Sequence, residues 1–155
     1  MRTLLLTLSH TAALCIGFAL GVYLLPIIIQ PPAPNIAAVE SKLSEPVFTA
    51  YFDRNRKGSD TLHWGDGEIR FFQDTIVFEG ALAPGPDYRL YLVPLFVEDE
   101  AAFLAVKDQS HEVGSIKNFD RFVFDGVSAL ANPAFTSVVV WCETFGEFIT
   151  SGQYR

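Results

Sequence analysis

Chemistry in this chain would have to come from very few side chains. The most conspicuous is Cys142, in the stretch SVVVWCETF from Ser137 to Phe145. The only other cysteine, Cys15, lies in the apolar N-terminal segment and cannot reach it. In an exported compartment disulfides form readily, so an unmated cysteine points to pairing between molecules or to a reactive thiol. Sulfur is also a good soft ligand for haem iron, copper or zinc. The plain alternative is a small buried hydrophobe, as free cysteine often is. A thiolate needs a nearby positive charge or donor, whereas burial among valines and the neighbouring Glu143 oppose ionisation. The residues therefore favour a ligand bond or a structural role over a freely nucleophilic thiol.

Other groups add little to a metal site. His63 and His111 lack metal-type spacing to Cys142 and read as surface loop residues, and His10 lies within the apolar segment. A closed zinc site wants four protein ligands, and no four are seen. A haem or metal held through Cys142 stays open as a cofactor, with none indicated by ligand spacing. GDGE at 65–68 reads as a tight turn, since it lacks the ligand ladder of a calcium loop. There is no G-x-S-x-G, P-loop, H-E-x-x-H or G-x-G-x-x-G pattern, so no catalytic constellation is evident. Glu98 and Glu100 suit the start of a helix, where their charge compensates the dipole. In FEGALAPGPDYRLYL, Phe78 to Leu92, the Pro84-Gly85-Pro86-Asp87 run makes a stiff turn with one permissive residue. That turn either simply joins two strands or forms a binding rim on which Asp87 and Arg89 point to solvent.

Strands must position these groups. VFTAYF (47–52), EIRFF (68–72), TIVFEGAL (75–82), YRLYLVPLFV (88–97), DRFVF (120–124), TSVVVWCETF (136–145) and the closing EFITSGQYR all carry strand signals. Pro94 cannot donate a ladder hydrogen bond, so its strand lies at an edge or breaks there. Alternation puts Val138, Val140 and Cys142 on one face and Val139 and Trp141 on the other. Both faces are apolar, which predicts a central strand, with Trp141 and the valines forming a dry wall near the sulfur. EDEAAFLAVKD (98–108) has acids first, Lys107 late and apolar residues at helical spacing, and reads as a helix. RNRKGSD (54–60) reads as a solvated loop. Many short strands and one short helix predict an all-β antiparallel sandwich or barrel, its interior filled from the 14 phenylalanines.

The N-terminus reads differently. Leu4 to Ile29 is apolar and uncharged, long enough to cross a hydrocarbon core of roughly 30 Å. It is too long for the ~7–15-residue core of a signal peptide. Leu14 before Cys15 also disfavours a lipoprotein site. An uncleaved transmembrane anchor over 4–29 is expected, with residues 1–3 cytoplasmic and Pro26 near a stop or bend. Residues 30–46, rich in proline and small residues, read as a semi-rigid stalk, and 47–155 as the β domain. Of the 11 basic residues only Arg2 precedes the anchor, while all 18 acidic residues follow it. The flanks favour a cytoplasmic N-terminus, hence a single-pass protein of the bacterial inner membrane with its domain in the periplasm. An acidic exported surface does not suit nucleic acid or anionic lipid as a partner.

FEGALAPGPDYRLYL, then VGSIK (113–117), then SVVVWCETFGEFI together resemble the DM13 domain, over roughly Val47 to Tyr154. That family occurs behind membrane anchors in bacteria and beside DOMON domains in animal proteins. The resemblance implies a mostly β domain with a signature cysteine at Cys142, acting in electron transfer as a redox thiol or as ligand to a prosthetic group. The chain departs from the pattern at NFDRFVFDG (118–126), where many members carry a Gly-x-Gln-x-Tyr-like stretch before a proline. The function expected is a redox or electron-transfer role centred on Cys142, with an envelope redox partner. The alternative is a non-catalytic binding module for an envelope protein or small ligand, in which Cys142 fills core.

Overall fold

A computed structural model describes residues 1–155. Eight strands form two antiparallel four-stranded sheets. The first contains β1 (Phe48–Phe52), β2 (Gly65–Phe71), β3 (Ile76–Leu82) and β6 (Arg121–Phe124), in that spatial order. The second has the order β5-β4-β7-β8, with β4 Tyr88–Val93, β5 His111–Ile116, β7 Ser137–Cys142 and β8 Glu147–Gln153. The architecture is the expected all-β sandwich.

Alternation builds the core. Inward residues of both sheets, among them Ile69, Phe71, Phe78, Leu90, Leu92, Val138 and Val140, form one cluster of 20 buried side chains. Phenylalanine supplies much of it: Phe78 stacks on Phe122 with ring centroids 4.8 Å apart. The six residues of β7 are all buried because that strand is interior and both its faces are covered. The outer face of its sheet carries Tyr91, Val139, Trp141 and Phe148 beneath a short helix, α3 (Glu100–Leu104).

Several local expectations are refined. The helix foreseen over 98–108 shortens to α3 plus a 3₁₀ turn at Lys107–Gln109. Asp99 is the reason at its start: it is extended, and its carboxylate accepts from Ala102 N–H at 2.8 Å, so helix begins only after it. The 88–97 run ends as a strand at Val93, before Pro94. GDGE is not a turn but the first part of β2, where Gly67 faces Gly80 of β3. A Cβ on Gly67 would come within 2.5 Å of the β3 backbone, so the glycines are there for close approach. Strand β5 escaped the sequence reading: it is half-exposed at a sheet edge and interrupted by a bulge at Val113–Gly114. RNRKGSD is not wholly solvated. Arg56 donates to the carbonyls of Ser151 and Tyr51 and to Glu98 Oε1, all at 3.1–3.2 Å.

The N-terminal helix α1 runs from Arg2 to Ile28, continuous through Pro26, and is long and apolar enough to span a membrane. None of its residues is buried. The residues read as a stalk run along the domain. Gln30 Oε1 accepts from Phe119 N–H, and the Pro31 carbonyl accepts from Asn118 Nδ2, both at 3.2 Å. A short helix, α2 (Ile36–Glu40), capped by Asn35, inserts Ile36 against Phe72 and Val77 on the outer face of the first sheet. Glu40 then pairs with Arg70 at 2.6 Å, which also holds Glu68 and Glu79.

Candidate functional site

Tyr88 opens β4 and Cys142 closes β7, and the two residues are direct partners in the antiparallel register. Both point into the space between the sheets, and both are 2 % exposed. The Pro84–Asp87 loop crosses from β3 in one sheet to β4 in the other at this end of the sandwich. Its Gly85 lies against the Tyr88 ring, where a Cβ would come within 2.3 Å. Gly85 does not adopt a left-handed conformation; the ring, and not the backbone bend, demands glycine there.

A cavity of about 440 Å³ opens beside these residues. On the domain side its wall includes Leu62, His63, Pro84, Pro86, Tyr88, Cys142 and Phe145. On the other side stand Phe18, Val22 and Tyr23 of α1. Its size falls in the range of small-molecule sites, which are mostly apolar with a few placed polar groups. The polar groups here are the Cys142 thiol, the Tyr88 hydroxyl, the Tyr23 hydroxyl and the His63 ring. His63, read from the sequence as a loop residue remote from Cys142, is thus brought to the same cavity. Its Nδ1 lies 3.1 Å from Asp60 Oδ2, which leaves Nε2 as the free ring nitrogen. The sequence signal for this was local: Asp60 three residues before His63, the carboxylate also taking the backbone N–H of Leu62 and His63 at 2.7 Å.

Burial pushes the Cys142 thiol upward, opposed in part by the backbone groups of Phe145, Asp87 and Thr144. Burial likewise raises the Tyr88 phenol, with Cys142, Tyr23 and Asp60 adding in the same direction. Both groups stay neutral and protonated at neutral pH. No arginine or lysine lines the cavity, so nothing there stabilises a thiolate. No group of three or more His, Cys, Asp or Glu side chains converges so as to hold a metal ion.

The other singled-out residues lie elsewhere. Trp141 projects to the opposite face of the sheet, packed 4.9 Å from Phe103 of α3, so it does not wall the sulfur. The dry wall comes from Tyr88, the prolines and Phe145 instead. Asp87 and Arg89 are not free solvent-facing groups. Arg89 donates to Asp87 Oδ1 and to Glu112 Oε1, each at 2.9 Å. The network continues through Tyr91, whose single hydroxyl hydrogen goes to Glu143 with Glu112 Oε2 3.3 Å from the same oxygen, and ends at Lys107, 2.8 Å from Glu143 Oε2. Partial burial works against the Glu143 charge, but Lys107 and Tyr91 together hold its carboxyl below the ordinary value. Asp87 and Arg89 flank the Pro84–Asp87 loop on the outer face and brace it without lining the cavity.

No curated protein and no solved structure matches this chain. The family model described as electron transfer DM13 matches residues 57–154, which takes in every strand after β1, the Gly-Pro-Asp loop and Cys142. The domain of this chain, together with the cysteine that closes its central strand, therefore belongs to the electron-transfer DM13 family.

Proposed function

We propose that this chain is a membrane-anchored electron-transfer protein whose β domain works at the periplasmic face of the bacterial inner membrane, with Cys142 at the centre of its redox site. One observation carries the reading: the only cysteine of the domain, otherwise sealed among apolar side chains, presents itself to a cavity large enough for a small molecule. The raised thiol makes Cys142 a poor nucleophile at neutral pH. Its role is then to contact or ligate a bound redox group, not to attack one. Should a prosthetic group be bound, Cys142 and His63 are the side chains of this cavity with donor atoms suited to it. Asp60 would orient His63 in the way that carboxylates orient ligating histidines.

A second reading has its own observation. The cavity is walled mostly by apolar side chains and no lysine or arginine lines it, which also suits a non-catalytic binding module with Cys142 as filler. The experiment that separates them uses the chain purified from membranes of its native host. Its visible spectrum, metal content and reduction by one-electron donors are recorded beside those of Cys142→Ser. The redox reading expects a redox-active signal that the substitution removes. A colourless, metal-free protein that exchanges no electrons, or a signal indifferent to the substitution, leaves the binding module standing.

A further inference from the structure

The cavity also carries information about what enters it. Tyr88 is 98 % buried as a residue, but its hydroxyl is not among the sealed polar atoms and makes no hydrogen bond within the chain, so it stands open to the cavity. A phenol open to an apolar cavity is free to donate to an acceptor that enters it. Across the same cavity, His63 offers Nε2 beside the Nδ1 already paired with Asp60. With Nδ1 donating to the carboxylate, Nε2 is an acceptor and takes a hydroxyl hydrogen. The remaining walls are apolar apart from the Tyr23 hydroxyl and the Cys142 thiol. A flat apolar ring carrying oxygen atoms that accept or donate satisfies both groups at once.

The route of entry follows from α1. Its 27 residues make a rod of about 40 Å, some 10 Å more than a hydrocarbon core. The excess places the last turns, from about Val22 onward, at the level of the lipid headgroups. Val22 and Tyr23 line the cavity at that level and Phe18, Ala19 and Leu20 about a turn deeper, so its mouth lies at the edge of the bilayer, against the acyl chains, and not in open water. Leu62 and Phe145, which also line it, are 60 % and 50 % exposed, a disposition suited to contact with lipid.

We propose that this cavity binds a membrane-dissolved quinol, drawn laterally from the bilayer, one ring oxygen accepting from the Tyr88 hydroxyl and one hydroxyl donating to His63 Nε2, and that the oxidised quinone meets Tyr88 alone and binds more weakly. The inference rests on the reading of α1 as a membrane span and names the ligand class of the proposed redox site. No electron is assigned a path by it; binding alone is claimed.

The full chain in detergent micelles is titrated with a benzoquinone carrying a decyl tail, and separately with the corresponding benzoquinol. Binding is followed by quenching of intrinsic tryptophan and tyrosine fluorescence and by calorimetry. Dodecane and a short-chain phosphatidylcholine serve as tail-only and lipid competitors. Saturable binding is expected, weakened about five- to tenfold by Tyr88→Phe, which keeps the ring and removes the donor. Val22→Trp, a substitution on an exposed helix that leaves the sandwich core untouched, fills the cavity and is expected to abolish binding. Absence of saturable binding overturns the proposal. So does binding indifferent to both substitutions, or competition by dodecane or the phospholipid at equal concentration, which would make the occupant a lipid tail. Micelles test the cavity whether or not α1 crosses a bilayer. Resistance of the chain to alkaline extraction from membranes tests the crossing, and Cys142→Ser tests the redox centre, so the three readings fail separately.

Discussion

Residues 141 and 142 are consecutive in β7 and belong to opposite sides of one sheet. Trp141 is locked beneath α3 by Phe103, Val139 and Phe148, with a lattice of charges from Asp87 to Lys107 closing over its margin. Cys142 faces a cavity whose wall holds no lysine, arginine or carboxylate. The first side is filled and polar at its rim; the second has room and almost no polarity. The difference teaches that the pleat alone separates scaffold from site. One strand supplies a packing anchor to one face and a cavity-facing atom to the other, because side chains alternate.

The largest expected effect tests the filled side. Trp141→Ala should destabilise the domain by about 3–5 kcal/mol, as large-to-small changes at buried aromatics do. Cys142→Ala, on the side with room, should cost only about 1 kcal/mol. Denaturant midpoints measure both, and equal costs would break the comparison. Next in size is Gly85→Ala, which forces a methyl into the Tyr88 ring and should cost about 1–3 kcal/mol while closing the cavity. A melt unchanged from the parent would show that the loop yields freely.

Two pH effects sharpen the contrast. The Cys142 thiol is raised in the folded state, so its contribution to stability is complete below the ordinary value of 9.0 and is lost as pH rises through the folded value. Cys142→Ala should remove that alkaline loss; titration of the melting temperature from neutral pH upward reads it. Glu143 is depressed, so its contribution is present above the ordinary value of 4.5 and is lost as pH falls through the folded value below that. Lys107→Met should shrink this acid-side loss and cost at most about 1 kcal/mol at neutral pH, since both partners are more than a quarter exposed. An acid limb unaffected by the substitution would detach Lys107 from the network.

Much of the sandwich could be read from period-two patterns, because buried strands such as β3 and β7 leave dense apolar runs. Strand β5 could not, since an edge strand needs only half its residues apolar and a bulge broke its alternation. The faces of Val138 to Cys142 followed directly from pleating. The company Cys142 keeps did not: Tyr88, His63 and Phe145 reach it from separate elements, and only pairing register and loop crossing bring them together. Asp87 and Arg89 do lie beside the expected loop, on its outer face and partly exposed, as their charges suggested. What the sequence could not show is the company they keep: Glu112, from another strand, ties Arg89 into a surface network. Gly85 illustrates the same limit, being small for a tyrosine ring that lies three residues on in sequence and directly over it in space.

The attachment of residues 30–46 bears on how far the domain can travel. A flexible tether of that length would let its cargo wander over roughly 20–25 Å. Here Gln30, Pro31, Ile36 and Glu40 each grip the β structure, so almost no slack remains. A domain moored this tightly cannot swing out to meet a distant collaborator. Under the proposed membrane span of α1, a redox partner would have to arrive by diffusion along the membrane.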